Sequence, residues 1–279
     1  EPSTGQRALA WLTKHRWLIV ITIAALVVRL HWNLDVHPIG DYIGSDMKGY
    51  DTRADQLLAD PFKSREYHAF FPYGTHVLVA IIKFVFGKGN YPAIAAVYAV
   101  LGALVVSFSY VIAQKVSRRR WVPPLVGLLL VFYYPLISLG GYMLSEVPMA
   151  TFLTLSTIYL LRLIEAGKRR DAWLAGVMVA IAAIIRPQVL VSVAFFGIAW
   201  LFFRKSALAK VKWRHLVYAG LPIVAAWTNA TWEPRRACSF IWSTRYKTPA
   251  PPEAVSGGSS RKGSYTLRWM RQATRVTCT

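Results

Sequence analysis

The chain has 279 residues, of which 55% are hydrophobic and 16% are charged. This apolar share is far above that of a soluble domain, so a water-soluble fold is nearly excluded. A net charge of +20 would suggest nucleic acid as the partner of a soluble protein. Here, however, the basic residues form short clusters between apolar runs, which is typical of topology signals in membrane proteins. Composition therefore predicts a multi-pass membrane protein and argues against a nucleic-acid partner.

Seven apolar runs with few charges follow one another along the chain, at residues 17–34, 92–114, 121–139, 147–164, 172–185, 188–203 and 213–228. A straight crossing needs about 20 residues, so the last three runs are short. Basic clusters at 115–120, 168–170 and 204–214 separate some of these runs and are expected in the cytoplasm. We predict an all-α polytopic membrane protein with about seven transmembrane helices.

The segment 172–203 is bounded by basic clusters at both ends, so a single helix would put one cluster on the wrong side of the membrane. Proline disfavours helix at the residue before it and lacks a backbone donor. We therefore predict a hairpin that reverses at Arg186-Pro187. This reversal places Arg186 at the outer face.

A long external loop is predicted at residues 33–91. The apolar stretch 75–86 covers only about 18 Å as a helix, and a crossing there would put the cluster at 115–120 outside. We therefore place it in the membrane interface. The loop holds seven of the 13 acidic residues: Asp35, Asp41, Asp46, Asp51, Asp55, Asp60 and Glu66.

Within this loop, a short amphipathic helix is indicated by apolar side chains at Tyr50, Ala54, Leu57 and Leu58. Asp51 and Asp55 fall on its polar face.

Residues 1–227 form the transmembrane domain in this interpretation. Residues 228–279 are rich in Lys, Arg, Ser, Thr, Pro and Gly and are expected to be a disordered or aberrant basic tail. The apolar run at 222–227 indicates a helix that is cut short, as in a truncated chain.

Three charged residues stand out as candidates for chemistry. Asp46 lies in a Gly-rich external segment, where a carboxylate can reach a substrate hydroxyl as a general base, although an acid there can also simply cap a helix. Glu146 follows a short external turn and is costly at a membrane boundary without a task or partner, with capping again as the alternative. Arg186 can hold a phosphate bidentately, or it can anchor the hairpin in lipid headgroups.

His76, in the segment Tyr73-Gly74-Thr75-His76, is a candidate sugar contact or metal ligand. A lone histidine is more often structural. We predict that His76 binds substrate, with a structural role as the alternative.

Several weak motifs occur in an order that resembles the GT-C glycosyltransferases, particularly the bacterial relatives of protein O-mannosyltransferases and aminoarabinose lipid A transferases. The motifs are VVRLHW, SDMKGYDTRADQLL, FPYGTHVLVAIIKFVFG, AAVYAVLGALVVSFSYVIAQKV, GGYMLSEVPMATFLTLSTIYLL and GVMVAIAAIIRPQVL. Together they span about residues 10–227. Met47 follows Asp46, where the family often has a second acid. Family members also continue with further spans.

This resemblance implies a catalytic role for Asp46 and for Glu146. It implies that Asp46 is the base, that Glu146 lies next to the sugar or a metal, and that Arg186 binds a lipid phosphate. By this resemblance Tyr50 and Arg186 would bind substrate, and Asp51 and His76 are predicted as further substrate-binding residues from their place in the external loop. The cofactor is left open, with a divalent metal such as Mg²⁺ or Mn²⁺ as the candidate.

The implied function is an inverting glycosyltransferase. It would move a sugar from a polyprenyl-phosphate donor to a glycan, lipid or protein acceptor at the outer face of a bacterial inner (plasma) membrane. The alternative is a non-enzymatic transporter or flippase in contact with the same membrane lipids. Transporters usually place ionisable groups near the bilayer midplane, whereas here the acids gather outside the spans. The distribution of acids thus favours the transferase.

Overall fold

The computed structural model describes residues 4–60 and 73–231, which form helices joined by short turns. The α-helices of this part are α1 (Thr4–His31), α2 (Ser45–Ala59), α3 (Tyr73–Phe86), α4 (Tyr91–Val116), α5 (Val122–Val131), α6 (Tyr134–Gly140), α7 (Glu146–Ala166), α8 (Arg169–Ile185), α9 (Val189–Phe203) and α10 (Trp213–Thr231). A π-helical turn (Trp32–Val36) and a 3₁₀ turn (Ile39–Tyr42) join α1 to α2. The described residues contain no β-strand. The predicted all-α class is confirmed.

Three segments within the described residues are long and apolar enough to cross a membrane: His15–Val36, Tyr91–Val116 and Glu146–Ala166. Helices α5 and α6 meet the same criterion as a pair, which gives up to four spans by length and composition. The polytopic membrane fold is therefore confirmed. The three helices after α7 do not meet the criterion, so the count of seven stays a prediction.

The apolar run at 121–139 does not form one straight helix, since it is bent by 51° between α5 and α6. Pro135 lies in the first turn of α6, where a missing backbone N–H is harmless. If α5 continued, the same proline ring would clash with the carbonyl group of Val131. The proline therefore explains why the run forms two helices.

Arg29 of α1 donates a hydrogen bond to a carbonyl group at the end of α5. Its side chain is fully buried, and its Nη2 donates to the carbonyl oxygen of Leu130 at 3.2 Å, while Nη1 donates to that of Ala25 at 3.2 Å. The last carbonyl groups of a helix lack intrahelical partners and carry partial negative charge. A buried arginine at this position therefore compensates for the break in the span.

Helix α2 buries Met47, Tyr50 and Ala54, and Leu57 and Leu58 pack against the same apolar cluster. The predicted amphipathic stripe is therefore present. α3 packs on this face, and most of its own buried residues share one face.

The predicted hairpin reversal is also observed. Helix α8 ends at Ile185 and α9 begins at Val189, so Arg186, Pro187 and Gln188 form the turn. Helix α10 continues to Thr231, four residues into the segment predicted as a basic tail. The remainder of that tail and the loop residue Glu66 lie outside the described residues.

Candidate active site

Four segments that are distant in sequence meet at one place, which the predicted topology puts on the external side. They are the starts of α2, α3 and α7 and the end of α8. Tyr50 of α2 is hydrogen-bonded to Ser145, which immediately precedes α7, and lies beside the buried Thr75 of α3. Glu146 contacts Arg186 at the end of α8. The site is therefore assembled from helix ends and not from the middle of the spans.

Glu146 and Arg186 form an ion pair. Arg186 Nη1 donates to Glu146 Oε1 at 2.5 Å, and the side chains are 34% and 29% exposed, respectively. The hydroxyl group of Ser145 donates to the second carboxylate oxygen at 3.4 Å. Sequence reasoning named Glu146 and Arg186 separately as candidates, and the structure brings them into direct contact.

Tyr50 lies at the centre of the cluster and is 5% exposed. Burial of the phenol raises its pKa above the usual value, and the nearby carboxylates of Glu146 and Asp46 act in the same direction. The neighbouring hydroxyl groups of Ser145 and Thr75 oppose this shift but do not cancel it. Tyr50 is therefore a neutral phenol at physiological pH, able to donate a hydrogen bond within the site.

Asp46 lies in the first turn of α2, one helical turn before Tyr50 and on the same face. Its side chain is half-buried and makes no ion pair or hydrogen bond with any residue that the structure describes. The preceding residue, Ser45, has a φ of +45°, the left-handed region that non-glycine residues rarely adopt. Such backbone strain is more frequent at functional sites than elsewhere.

Gly74 allows α3 to approach the end of α8 closely. A Cβ atom on Gly74 would lie 2.7 Å from both the backbone nitrogen and the Cα of Ile185, the residue before Arg186. Only glycine permits this contact without moving the backbone. Gly74 thereby fixes the position of Arg186 relative to α3.

Asp51 occupies a different environment from the one predicted. Lys83 of α3, only 3% exposed as a residue, lies with its Nζ 2.7 Å from Asp51 Oδ1 and 2.9 Å from Asp55 Oδ1. Burial of the ammonium group lowers its pKa, but the interactions with Asp51 and Asp55 outweigh this and raise the pKa of Lys83. The hydroxyl group of Tyr91 also donates to Asp51 at 3.3 Å. The polar face of α2 thus packs on a buried lysine, and substrate binding by Asp51 stays a prediction.

His76 is 4% exposed on the buried face of α3. Its ring centroid lies 5.1 Å from that of Tyr73, at an interplanar angle of 52°. This environment favours packing, and a role for His76 in substrate binding stays a prediction. No group of three or more His, Cys, Asp or Glu side chains suited to a metal occurs in the ranges 4–60 and 73–231.

Sequence reasoning missed Gly74 and Lys83. Nothing in the sequence marks Gly74 as a contact point. Lys83 carried a usable signal, because it falls on the same helical face as Thr75 and Val79, which are buried. A charge on a buried face needs a counter-charge.

These features define a class of protein: an all-α integral membrane protein with paired charges and a carboxylate gathered at the ends of its helices. Residues 21–226 match the model of the dolichyl-phosphate-mannose-protein mannosyltransferase family. The chain belongs to this family, and it is accordingly a membrane glycosyltransferase. No curated protein and no solved structure matches it.

Proposed function

We propose that the chain transfers a sugar from a polyprenyl-phosphate donor to a hydroxyl or amine group of a glycan, lipid or protein acceptor. The reaction takes place at the outer face of a bacterial plasma membrane and inverts the anomeric centre. The observation that carries the proposal is the meeting of Asp46, Tyr50, Glu146 and Arg186 at one set of helix ends. Family membership supports it, because the family is named for a lipid-phosphate sugar donor.

The reaction is a single displacement. The acceptor oxygen or nitrogen attacks the anomeric carbon while its proton passes to the carboxylate of Asp46. The bond between the anomeric carbon and the phosphate oxygen breaks, and its electron pair stays on the phosphate. Asp46 suits the base because its carboxylate is half-buried and carries no ion pair within the described residues.

Arg186 is the proposed phosphate ligand. Glu146 engages its Nη1, and guanidinium presents five N–H donors in a fixed planar fork, so other donors remain for a phosphate. Tyr50, held neutral by burial, is the proposed hydrogen-bond donor to the substrate beside Asp46. Glu146 is the second acid of the site and lies next to the phosphate. We assign no step to a metal.

Asp46→Asn tests the base. The change removes the proton acceptor and keeps the size of the side chain, so we expect transfer to fall by roughly 10²-fold or more at unchanged thermal stability. Asp41→Asn is the matched control, because Asp41 is an exposed acid in the same loop. Turnover of Asp46→Asn equal to that of the control would rule out Asp46 as the base.

Arg186→Lys tests the phosphate ligand. A point charge cannot reproduce a bidentate fork, so the apparent KM for the lipid-linked donor should rise by about tenfold. Arg119→Lys, in the exposed turn before α5, is the control and should leave the KM unchanged. If lysine serves equally well at 186, the residue is only a membrane anchor.

A further inference from the structure

The proposed phosphate ligand already has an anionic partner. Arg186 donates to Glu146 at 2.5 Å, and no other ion pair of either residue occurs among the described residues. The two side chains are comparably exposed, so both are accessible to a ligand. The local charge of the pair is therefore zero where a phosphate-binding site would ordinarily be positive.

This neutrality matters because the phosphate changes its charge during the proposed reaction. The donor is a phosphodiester and carries one negative charge. When the bond to the sugar breaks, the electron pair stays on the phosphate, and the product is a phosphomonoester. A phosphomonoester has a second pKa near 6 and carries about −1.5 to −2 at pH 7. An isolated arginine would therefore hold the product more tightly than the donor.

We propose that Glu146 determines selectivity between donor and product: its carboxylate repels the dianionic prenyl phosphate more than the monoanionic donor, so that the spent lipid leaves Arg186. This inference rests on the proposed function. In this proposal Glu146 acts on the release of the product, which is a role separate from that of the general base Asp46. It also accounts for an acid placed directly on the phosphate ligand.

The consequence is measurable by binding alone, without turnover. The probes are a short-chain isoprenyl phosphate monoester and its methyl diester, which mimic the charges of product and donor. Binding of each probe is measured at pH 7.5 to the full chain in lipid nanodiscs. We expect the wild-type protein to bind the two esters with similar affinity.

In Glu146→Gln, affinity for the monoester should increase about tenfold, while affinity for the diester should change by less than about threefold. Glu146→Asp keeps the charge and should retain the wild-type ratio. Glu165→Gln is the matched control, because Glu165 pairs with Lys115 at 2.7 Å at the other end of α7. It removes a comparable ion pair without touching the site. Thermal melting of each variant verifies that it is folded.

The outcomes separate the two proposals. Weaker binding of both esters to Arg186→Lys would show that both bind through Arg186. If Glu146→Gln then changes the two affinities by the same factor, the inference is wrong and the donor site stands. If Glu146→Asp also gains the tenfold preference for the monoester, charge is not the cause and the inference is again wrong. If neither ester depends on Arg186, the proposed donor site itself fails and the inference fails with it.

Discussion

Adding a single methyl group at Gly74 should impair donor use. A Cβ atom at this position would lie 2.7 Å from the Cα and backbone nitrogen of Ile185, whereas ordinary van der Waals contact begins at 3.4 Å. The helices α3 and α8 must then separate by about 0.7 Å, and no side-chain rotation can relieve the clash with these two atoms, because both belong to the backbone. Arg186 is the next residue and would move with them.

The size of the effect follows from this displacement. A misplacement of about 1 Å at a reacting centre can cost about 10²-fold in rate, so Gly74→Ala should lower kcat/KM for the lipid-linked donor by roughly 10- to 100-fold. Overpacking of this kind also costs about 1–3 kcal/mol of stability. Initial rates against donor concentration and thermal melting in the same detergent measure the two effects.

Two further glycines provide the controls. Gly176 of α8 packs against the backbone of Ala219 in α10, with a Cβ position 2.7 Å from the Cα of Ala219, but it lies ten residues, or about 15 Å, from Arg186 along the helix. Gly176→Ala should therefore lower stability and leave kcat/KM for the donor unchanged. Gly197 has no atom within 4 Å of a Cβ, so Gly197→Ala should be neutral in both assays. Equal kcat/KM for the donor in Gly74→Ala and Gly197→Ala would refute the reasoning.

Two other predictions concern stability and topology. Lys83→Met should cost about 2–3 kcal/mol in chemical or thermal unfolding, because it leaves Asp51 and Asp55 without their cation, while Lys48→Met on the exposed side of α2 should change little. Since the pKa of Lys83 is raised in the folded protein, the stabilisation by Lys83 should be complete below about pH 10 and should be lost as the pH rises through the folded-state pKa. If the difference in unfolding free energy between the wild type and Lys83→Met vanished between pH 6 and 9, the pairing would be contradicted. Lys88→Cys and Gln188→Cys, both at exposed positions in turns, should react with a membrane-impermeant thiol reagent in intact cells, whereas protection of Lys88→Cys alone would mean that α3 crosses the membrane.

The sequence indicated candidate residues but did not predict their contacts. Pro187 and the flanking charges indicated the turn at Arg186, and the carboxylates of Asp46 and Glu146 were unusual in their surroundings. Their pairing was not predictable, because 40 residues separate Glu146 from Arg186 and helical periodicity reveals which face of a helix is buried but not which helix covers it. Within a membrane this ambiguity is greater, since lipid tails are as apolar as a neighbouring helix.

Lys83 shows how one buried charge can connect fold and function. Asp51 and Asp55 are one helical turn apart on α2, and both contact Lys83. Asp46 and Tyr50 are also one turn apart, on a face rotated from the first by about 140°, because the two pairs are offset by five residues and each residue of an α-helix advances by about 100°. Holding two points on one face fixes the rotation of α2 about its axis and, with it, the direction of Asp46. The acids on the polar face of α2 therefore help to orient the proposed base.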